Sequence, residues 1–265
     1  MLVGALALAL AGAGCSSSAA RRPAHLSGSA QGLLERIERA ARGAASVRVR
    51  GSIMGAAAPI KLNMELVPGR GASGEVALGG EQIDLVRLEQ ALYGRGNRRF
   101  LDSLVGGTAA QALGERWVRV RAYAGPLGSL SELTNLDGMI DLALSSHGTL
   151  GRPRRARLGA TPALAIPDPS GHATLYAAAV GVPYPLEITR RGRRSGTLRF
   201  EGWNKAYAIT PPAHSLHLER VAPPARQDAE RGPWDIGPTP PARARAASHG
   251  LRGEGEGGAQ VLRRR

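Results

Sequence analysis

Between Val47 and Tyr93 apolar residues return at every second position, segment after segment, and this alternation constrains the fold more than any other feature. Val47, Val49, Gly51 and Ile53 alternate with Arg48, Arg50, Ser52 and Met54, and Ile60, Leu62, Met64 and Leu66 alternate with Lys61, Asn63 and Glu65. Shorter runs follow at Glu75–Leu78, Ile83–Arg87 and Ala91–Tyr93, with Gly or Pro punctuating the chain at 59, 68–69, 71, 74 and 79–80. Side chains of a strand point alternately to its two faces, so this pattern describes an antiparallel meander with one dry and one wet face. Alternation resumes at Arg116–Arg121 and again at Ala163–Ile166, Ala173–Tyr176, Leu186–Thr189, Thr197–Phe200 and Ala206–Ile209.

A dry sheet face needs a cover. Two segments have helical period. Ser29 is placed to cap a helix over Leu33–Arg42, with Leu33, Leu34, Ile37, Ala40 and Ala41 on one face and Gly43 as its stop. Ser129 and Glu132 have capping-box spacing ahead of a second helix, Glu132–Ser146, with a stripe of Leu133, Leu136, Ile140, Ala143 and Leu144. Gly94–Gly114 is less regular, with Phe100, Leu101, Leu104 and Val105 as anchors of a short helix. The fold class expected is therefore α+β, a curved antiparallel sheet with helices across one face.

The first residues address the compartment. Leu2–Gly14 is an unbroken run of Leu, Val, Ala and Gly, too short to span a bilayer but fitting the core of a signal peptide. It ends at Gly12-Ala13-Gly14-Cys15, the protein's only cysteine, followed by three serines. Small residues before a cysteine suit a narrow peptidase site, and the thiol is the nucleophile that accepts a diacylglycerol. The segment resembles a bacterial lipobox, although Gly12 stands where that motif usually has Leu and no cation precedes the apolar run; a plain secretory signal cleaved near a chance cysteine is the alternative. The division expected is a signal peptide with lipobox over 1–15, a flexible tether over 16–29, a folded domain over 30–222 and a disordered tail rich in Pro, Arg and Gly over 223–265. Lipidation of Cys15 would anchor the chain outside the cytoplasmic membrane.

Charge is the most conspicuous compositional feature, and it excludes less than its size suggests. There are 35 Lys plus Arg against 21 Asp plus Glu, a formal net charge of +14, and only Lys61 and Lys205 are lysines. Arg48, Arg50, Arg119, Arg121 and Arg199 alternate with apolar residues and belong on the wet face of strands. Arg152–Arg157 and Arg190–Arg194 read as basic turns. A nucleic-acid module would add stacking aromatics or a recognition helix, and aromatics make up only 4% of the chain, so no nucleic-acid partner is expected. Solvated charge is the simpler reading, with weak attraction to anionic lipid headgroups as the alternative.

Catalytic constellations are absent from the pattern. His214 and His217 have no HExxH context and read as solvated residues of an edge. Asp168, Ser170 and His172 have the composition of a triad but sit on one reverse turn, whereas triad members approach from separate elements. There is no GxSxG elbow, phosphate loop or dinucleotide fingerprint. No enzyme activity, no metal and no cofactor are expected.

The stretch Asp168-Pro-Ser-Gly171-His-Ala-Thr174-Leu175-Tyr176, then Gly181-Val-Pro183-Tyr184-Pro185-Leu186-Glu187-Ile188, continues through Gly196-Thr-Leu198-Arg-Phe200 to Trp203-Asn204 and Pro211-Pro212. With Ser46–Gly51, Leu92-Tyr93 and Arg116-Trp117-Val118, it resembles the LppX/LprG-like lipoproteins of actinobacteria, relatives in fold of the lipoprotein carrier LolA. The similarity runs from about Leu33 to Ala222 and is most specific in the last third. The resemblance implies an unclosed half-barrel with helices across its concave face and an apolar cavity between them that carries acyl chains. Small Ala and Gly side chains on the inner face would leave space there. The inward series Val49, Ile53, Leu62, Met64, Leu66, Val76, Leu78, Leu85, Leu175, Leu186, Ile188, Leu198 and Phe200, with Leu133, Leu136 and Ile140, supplies the candidate lining; a solid core over the same sheet is the alternative. The partners expected are a lipid or acylated ligand and the membrane through Cys15. A ligand-free envelope sensor or protein-interaction module is the competing function.

Overall fold

The computed structural model describes residues 29–55, 58–123, 125–144, 149–192 and 195–218. The signal segment, Cys15, most of the tether and the tail lie outside the described residues. The chain enters through helix α1, Ala30–Arg42, capped as its sequence suggests: Ser29 Oγ accepts from the Gly32 N–H at 3.0 Å, and the Gly43 N–H donates to Arg39 O. Leu33, Leu34, Ile37 and Ala41 form its buried face. A meander follows: β1 Val47–Met54, β2 Pro59–Val67, β3 Gly71–Leu78, β4 Glu81–Leu88 and β5 Ala91–Gly96. Helices α2, Arg98–Val105, and α3, Gly107–Leu113, precede β6, Val118–Arg121. A 3-10 helix, Gly125–Thr134, leads into α4, Leu136–Leu144. The second meander comprises β7 Arg154–Leu158, β8 Thr161–Pro167, β9 Ala173–Ala178, β10 Pro185–Arg190 and β11 Gly196–Glu201, and a short β12, Leu216–His217, ends it.

The twelve strands of the described residues belong to one sheet, in the order β12-β6-β5-β4-β3-β2-β1-β11-β10-β9-β8-β7. Every neighbouring pair is antiparallel except β12 beside β6. The two outermost strands, β7 and β12, do not pair, so the sheet is an unclosed half-barrel. Its register explains the two faces. Phe200, Val49, Met64, Gly74, Leu85, Gly94 and Val118 stand side by side across seven strands, and Ile166, Leu175, Ile188, Leu198, Gly51, Leu62, Val76, Ile83 and Gly96 form the next row. These rows make the covered face. The opposite face carries ion pairs between neighbouring strands: Arg48–Glu65, Arg50–Glu201, Arg95–Asp84 at 2.6 Å and Arg199–Glu187 at 2.7 Å.

Four expectations are corrected. The Ser129/Glu132 capping box does not open an α-helix; that stretch is a 3-10 helix, and α4 begins later, where Asn135 Oδ1 accepts from the Asp137 N–H at 3.1 Å. Ser131 and Thr134 spend their hydroxyls locally, Ser131 on the Tyr123 N–H and Thr134 on Ser131 O, the competition that keeps such residues from propagating a helix. The basic stretch at 152–157 is no turn: from Arg154 it is edge strand β7, where Ala156 opposes Ala163 and charged neighbours are tolerated because only one side pairs. Ala206–Ile209 forms no strand, because β11 already has β1 and β10 on its two sides and offers no free edge. Residues 202–215 instead run over the outer face. Tyr207 lies among Glu65, Arg48 and Glu201 there, and Leu216 finally donates its N–H to Trp117 O to start β12. Finally, the described cover has four α-helices and a 3-10 helix in place of two clear helices.

Candidate functional site: the crevice beneath the helices

The covering helices divide the inner face. The 3-10 helix lies against β2, β3, β4 and β6, and α2 against β4 and β5, while α1 packs with α4. Glycines decide how tightly they seat. A Cβ on Gly96 would overlap the Phe100 ring of α2 and approach Gln82 O to 2.7 Å; one on Gly94 would meet Leu127 at 3.3 Å; one on Gly74 would run into the β2 backbone at Asn63 O and Met64 Cα. Gly94 and Gly96 therefore admit neighbouring side chains instead of leaving space, and Phe100 and Leu127 are each buried almost completely. The expectation of a void above the small residues is corrected on this half of the sheet.

The other half keeps a gap. Between α1 and α4 above, and β8, β9 and β10 below, lies a crevice of about 30 Å³. It is lined by Leu34, Ala143, Leu144, Leu150, Ile166, Leu175 and Ile188, with Asp168, Thr174 and Arg190 as its polar residues. That volume holds a water or two, whereas pockets that enclose organic ligands measure roughly 300–1,000 Å³. The crevice is closed by side-chain bonds between the elements of its cover. Arg42, at the end of α1, reaches Asp137 at 3.0 Å and Asp141 at 2.5 Å on α4. The Asp141 bond, followed by Asp137, raises the guanidinium above arginine's ordinary value. From beneath, Arg190 of β10 donates to Ala143 O at 2.8 Å, a cation on the carbonyl end of α4.

Of the lining expected from the sequence, Leu175 and Ile188 face this crevice. Val49, Leu62, Met64, Leu66, Val76, Leu78, Leu85, Leu198, Phe200, Leu133, Leu136 and Ile140 are buried under or within the helical cover, and Ile53 is half-buried. Leu186 departs from the alternation: the ladder between β9 and β10 shifts register between Pro185 and Glu187, leaving Leu186 half-buried without a partner of its own. The lining residues missed were Leu34, Ala143, Leu144, Leu150 and Ile166, and the polar clasp of Arg42 and Arg190 was missed with them. Asp137 and Asp141, four residues apart on one helix, were the available signal for a cation across the interface.

The motif residues that carry the family resemblance are structural. Tyr184 stacks on Trp203 with ring centroids 4.7 Å apart, and Phe200 lies 6.1 Å from Trp203. Trp203 Nε1 donates to Pro185 O, Asn204 Nδ2 donates to the Tyr184 hydroxyl, and Asn204 Oδ1 accepts from the Ala45 N–H at 2.7 Å. This cluster ties the entry of β1 to β10 and to the exit from β11.

Asp168, Ser170 and His172 do hydrogen-bond, but in the wrong order for a triad. The Ser170 hydroxyl stands in the middle, 2.5 Å from Asp168 Oδ2 and 2.9 Å from His172 Nδ1. The serine bonds, side chain first, hold the Asp168 carboxyl below its ordinary range. A hydroxyl that donates to a carboxylate on an exposed turn is not activated by the histidine. His214 and His217 are exposed, as expected. Among the described residues, no three His, Cys, Asp or Glu converge as metal ligands, and no helix is long and apolar enough to cross a membrane.

The chain matches no protein-family model and no curated protein sequence. Among solved structures, LprF from Mycobacterium bovis aligns over 69% of this chain and 97% of its own length, with 14% identity and a TM-score of 0.46. The Mycobacterium tuberculosis lipoprotein LppX aligns over 69% of this chain and 100% of its own, with 16% identity and a TM-score of 0.41. MucB, in a complex with the periplasmic part of MucA, aligns over 70% of this chain and 60% of its own, with 15% identity and a TM-score of 0.33. In structure, then, the chain is similar to LprF and to the lipoprotein LppX.

Proposed function

We propose that this chain is an extracytoplasmic lipoprotein, anchored through Cys15, that binds a lipid or acylated ligand between its sheet and its helices without catalysis. The crevice under α1 and α4 carries the reading: its walls are apolar, and its cover is latched by bonds near the surface. Lifting the helices withdraws Leu34 and Leu144 from the sheet, but an acyl chain entering the gap covers them again. Burying about ten methylenes at ~0.8 kcal/mol each outweighs releasing two exposed ion pairs worth ~1 kcal/mol or less apiece. The closed crevice is then the unloaded form, and the ligand makes its own room. The walls expected to touch the ligand are Leu175 and Ile188, joined by Leu34, Leu144 and Ile166.

Native mass spectrometry of the protein after mild extraction tests this. The expected result is a lipid adduct released by organic solvent and restored by incubation with lipid. A chain that neither retains nor takes up lipid sinks the carrier reading, and an envelope partner lost on changing an exposed edge strand would favour an interaction module. Anchoring is tested separately: Cys15→Ala should move the protein out of the membrane fraction.

A further inference from the structure

The outer face of the sheet carries a second recess, of about 790 Å³, at the end opposite β7. Its walls come from four places. The β2–β3 turn supplies Gly69 and Arg70, the β4–β5 turn Glu89 and Gln90, strand β6 Arg119 and Arg121, and the chain crossing from β11 to β12 supplies Ile209, Pro211 and His217. Backbone bonds fix these walls: the Arg70 N–H donates to Val67 O, the Ala122 N–H donates to Gln90 O at 2.8 Å, and His217 stands opposite Arg119 in the β12–β6 ladder.

The arginines in this recess are unlike those of β1, β5 and β11 on the same face. Arg48, Arg50, Arg95 and Arg199 each have a carboxylate partner on a neighbouring strand. Arg70, Arg119 and Arg121 have none among the described residues, and Glu89 is the one acid in the lining. Arg119 instead lies over the Tyr93 ring, 5.8 Å from its centroid. Like charges gathered in a concave wall repel one another and raise the local potential. A bound anion relieves that repulsion, and the fork of a guanidinium matches a phosphate group with two parallel bonds.

We infer that the recess formed by Arg70, Arg119, Arg121 and His217 is a binding site for a phosphate-bearing anion, on the opposite side of the sheet from the apolar crevice. The site holds whether or not the crevice accepts a ligand. Its volume admits a phosphate ester with a glycerol-sized substituent, so the phosphate is that of a lipid headgroup or of a small free ester.

The test uses the full chain with Cys15→Ala, titrated calorimetrically with glycerol 3-phosphate and pyrophosphate at low and physiological salt. The same protein is sedimented with phosphatidylcholine vesicles with and without phosphatidylglycerol. Saturable binding is expected, weakened at least about fivefold by Arg119→Ala/Arg121→Ala. The charge-matched Arg50→Ala/Arg199→Ala, on the same face but drawn from ion pairs, should leave binding in place. Arg119→Gln/Arg121→Gln, which keeps much of the side-chain stem, should reproduce the loss. Binding in solution identifies a free ester, and binding confined to phosphatidylglycerol vesicles identifies a headgroup; either supports the site if the recess variant weakens it to that extent. Equal loss in both double variants, or no saturable binding to either probe, overturns it.

Discussion

Single residues in this protein decide whether the inner face is a void or a core. Gly96 shows how: without a Cβ, the strand lets the Phe100 ring lie directly on the backbone, and the ring seals that part of the sheet. Gly96→Ala must push the ring or the strand aside, and overpacking of this kind costs ~1–3 kcal/mol. The midpoint of urea denaturation should fall accordingly; an unchanged midpoint would mean that α2 yields freely. Asp168 is informative in a different way. Its carboxyl titrates low because Ser170 bonds it through both hydroxyl and backbone N–H. A depressed carboxyl is fully charged above its unfolded value and loses its bonds only as pH falls through the folded one. Ser170→Ala removes the larger contribution, so the Asp168 carbon resonance should titrate at higher pH, nearer the ordinary carboxylate range. Because Ser170 and His172 are exposed and the bond lies within one turn, acid stability should change little. A titration that does not move would show that the hydroxyl bond is not kept in solution.

At the scale of elements, the alternating segments were legible because burial of one face leaves no choice of register. Helix α1 was equally legible, since Ser29, the apolar stripe and Gly43 agree with one another. The failures share a cause: each depended on a neighbour distant in sequence. Arg154–Leu158 is a strand because β8 lies beside it, and Ala206–Ile209 is not one because β11 has no vacant side. The same holds for the site. Leu175 and Ile188 could be named from alternation, but the crevice they face exists only where α1 and α4 meet above β8–β10. The latch between those helices is the element to probe. Arg42→Ala removes both ion pairs to α4, and exposed pairs of this kind contribute ~1 kcal/mol or less in total stability. The larger effect should be local. Amide hydrogen exchange in α1 and α4 should quicken while β2–β4 keep their protection, and uptake of a fluorescent fatty acid should become faster. Exchange that rises uniformly through the sheet would show that the two helices are not a separate cover.

For the whole molecule, an unclosed barrel leaves two sheet edges unpaired among the described residues. The β12 edge is only two residues long, Leu216–His217, and offers little to a second chain. The β7 edge is longer, and there the sequence supplies Arg154, Arg155 and Arg157 in a five-residue strand. Charged side chains along an exposed edge oppose pairing with another copy, because they would bring like charges within a few ångströms across the new ladder. The basic composition therefore has one structural use that solvation alone does not explain. Replacing all three with Val should convert this edge into a template and raise the association of the protein, read as a concentration-dependent increase in mass by light scattering. Two controls separate edge chemistry from net charge. Replacing the same three with Lys should leave the mass unchanged. Replacing Arg263, Arg264 and Arg265 with Val, an equal loss of charge outside β7, should leave it unchanged as well. If the valine edge stays at the mass of the parent chain, or if the tail substitutions associate equally, the arginines of β7 do not guard the open sheet.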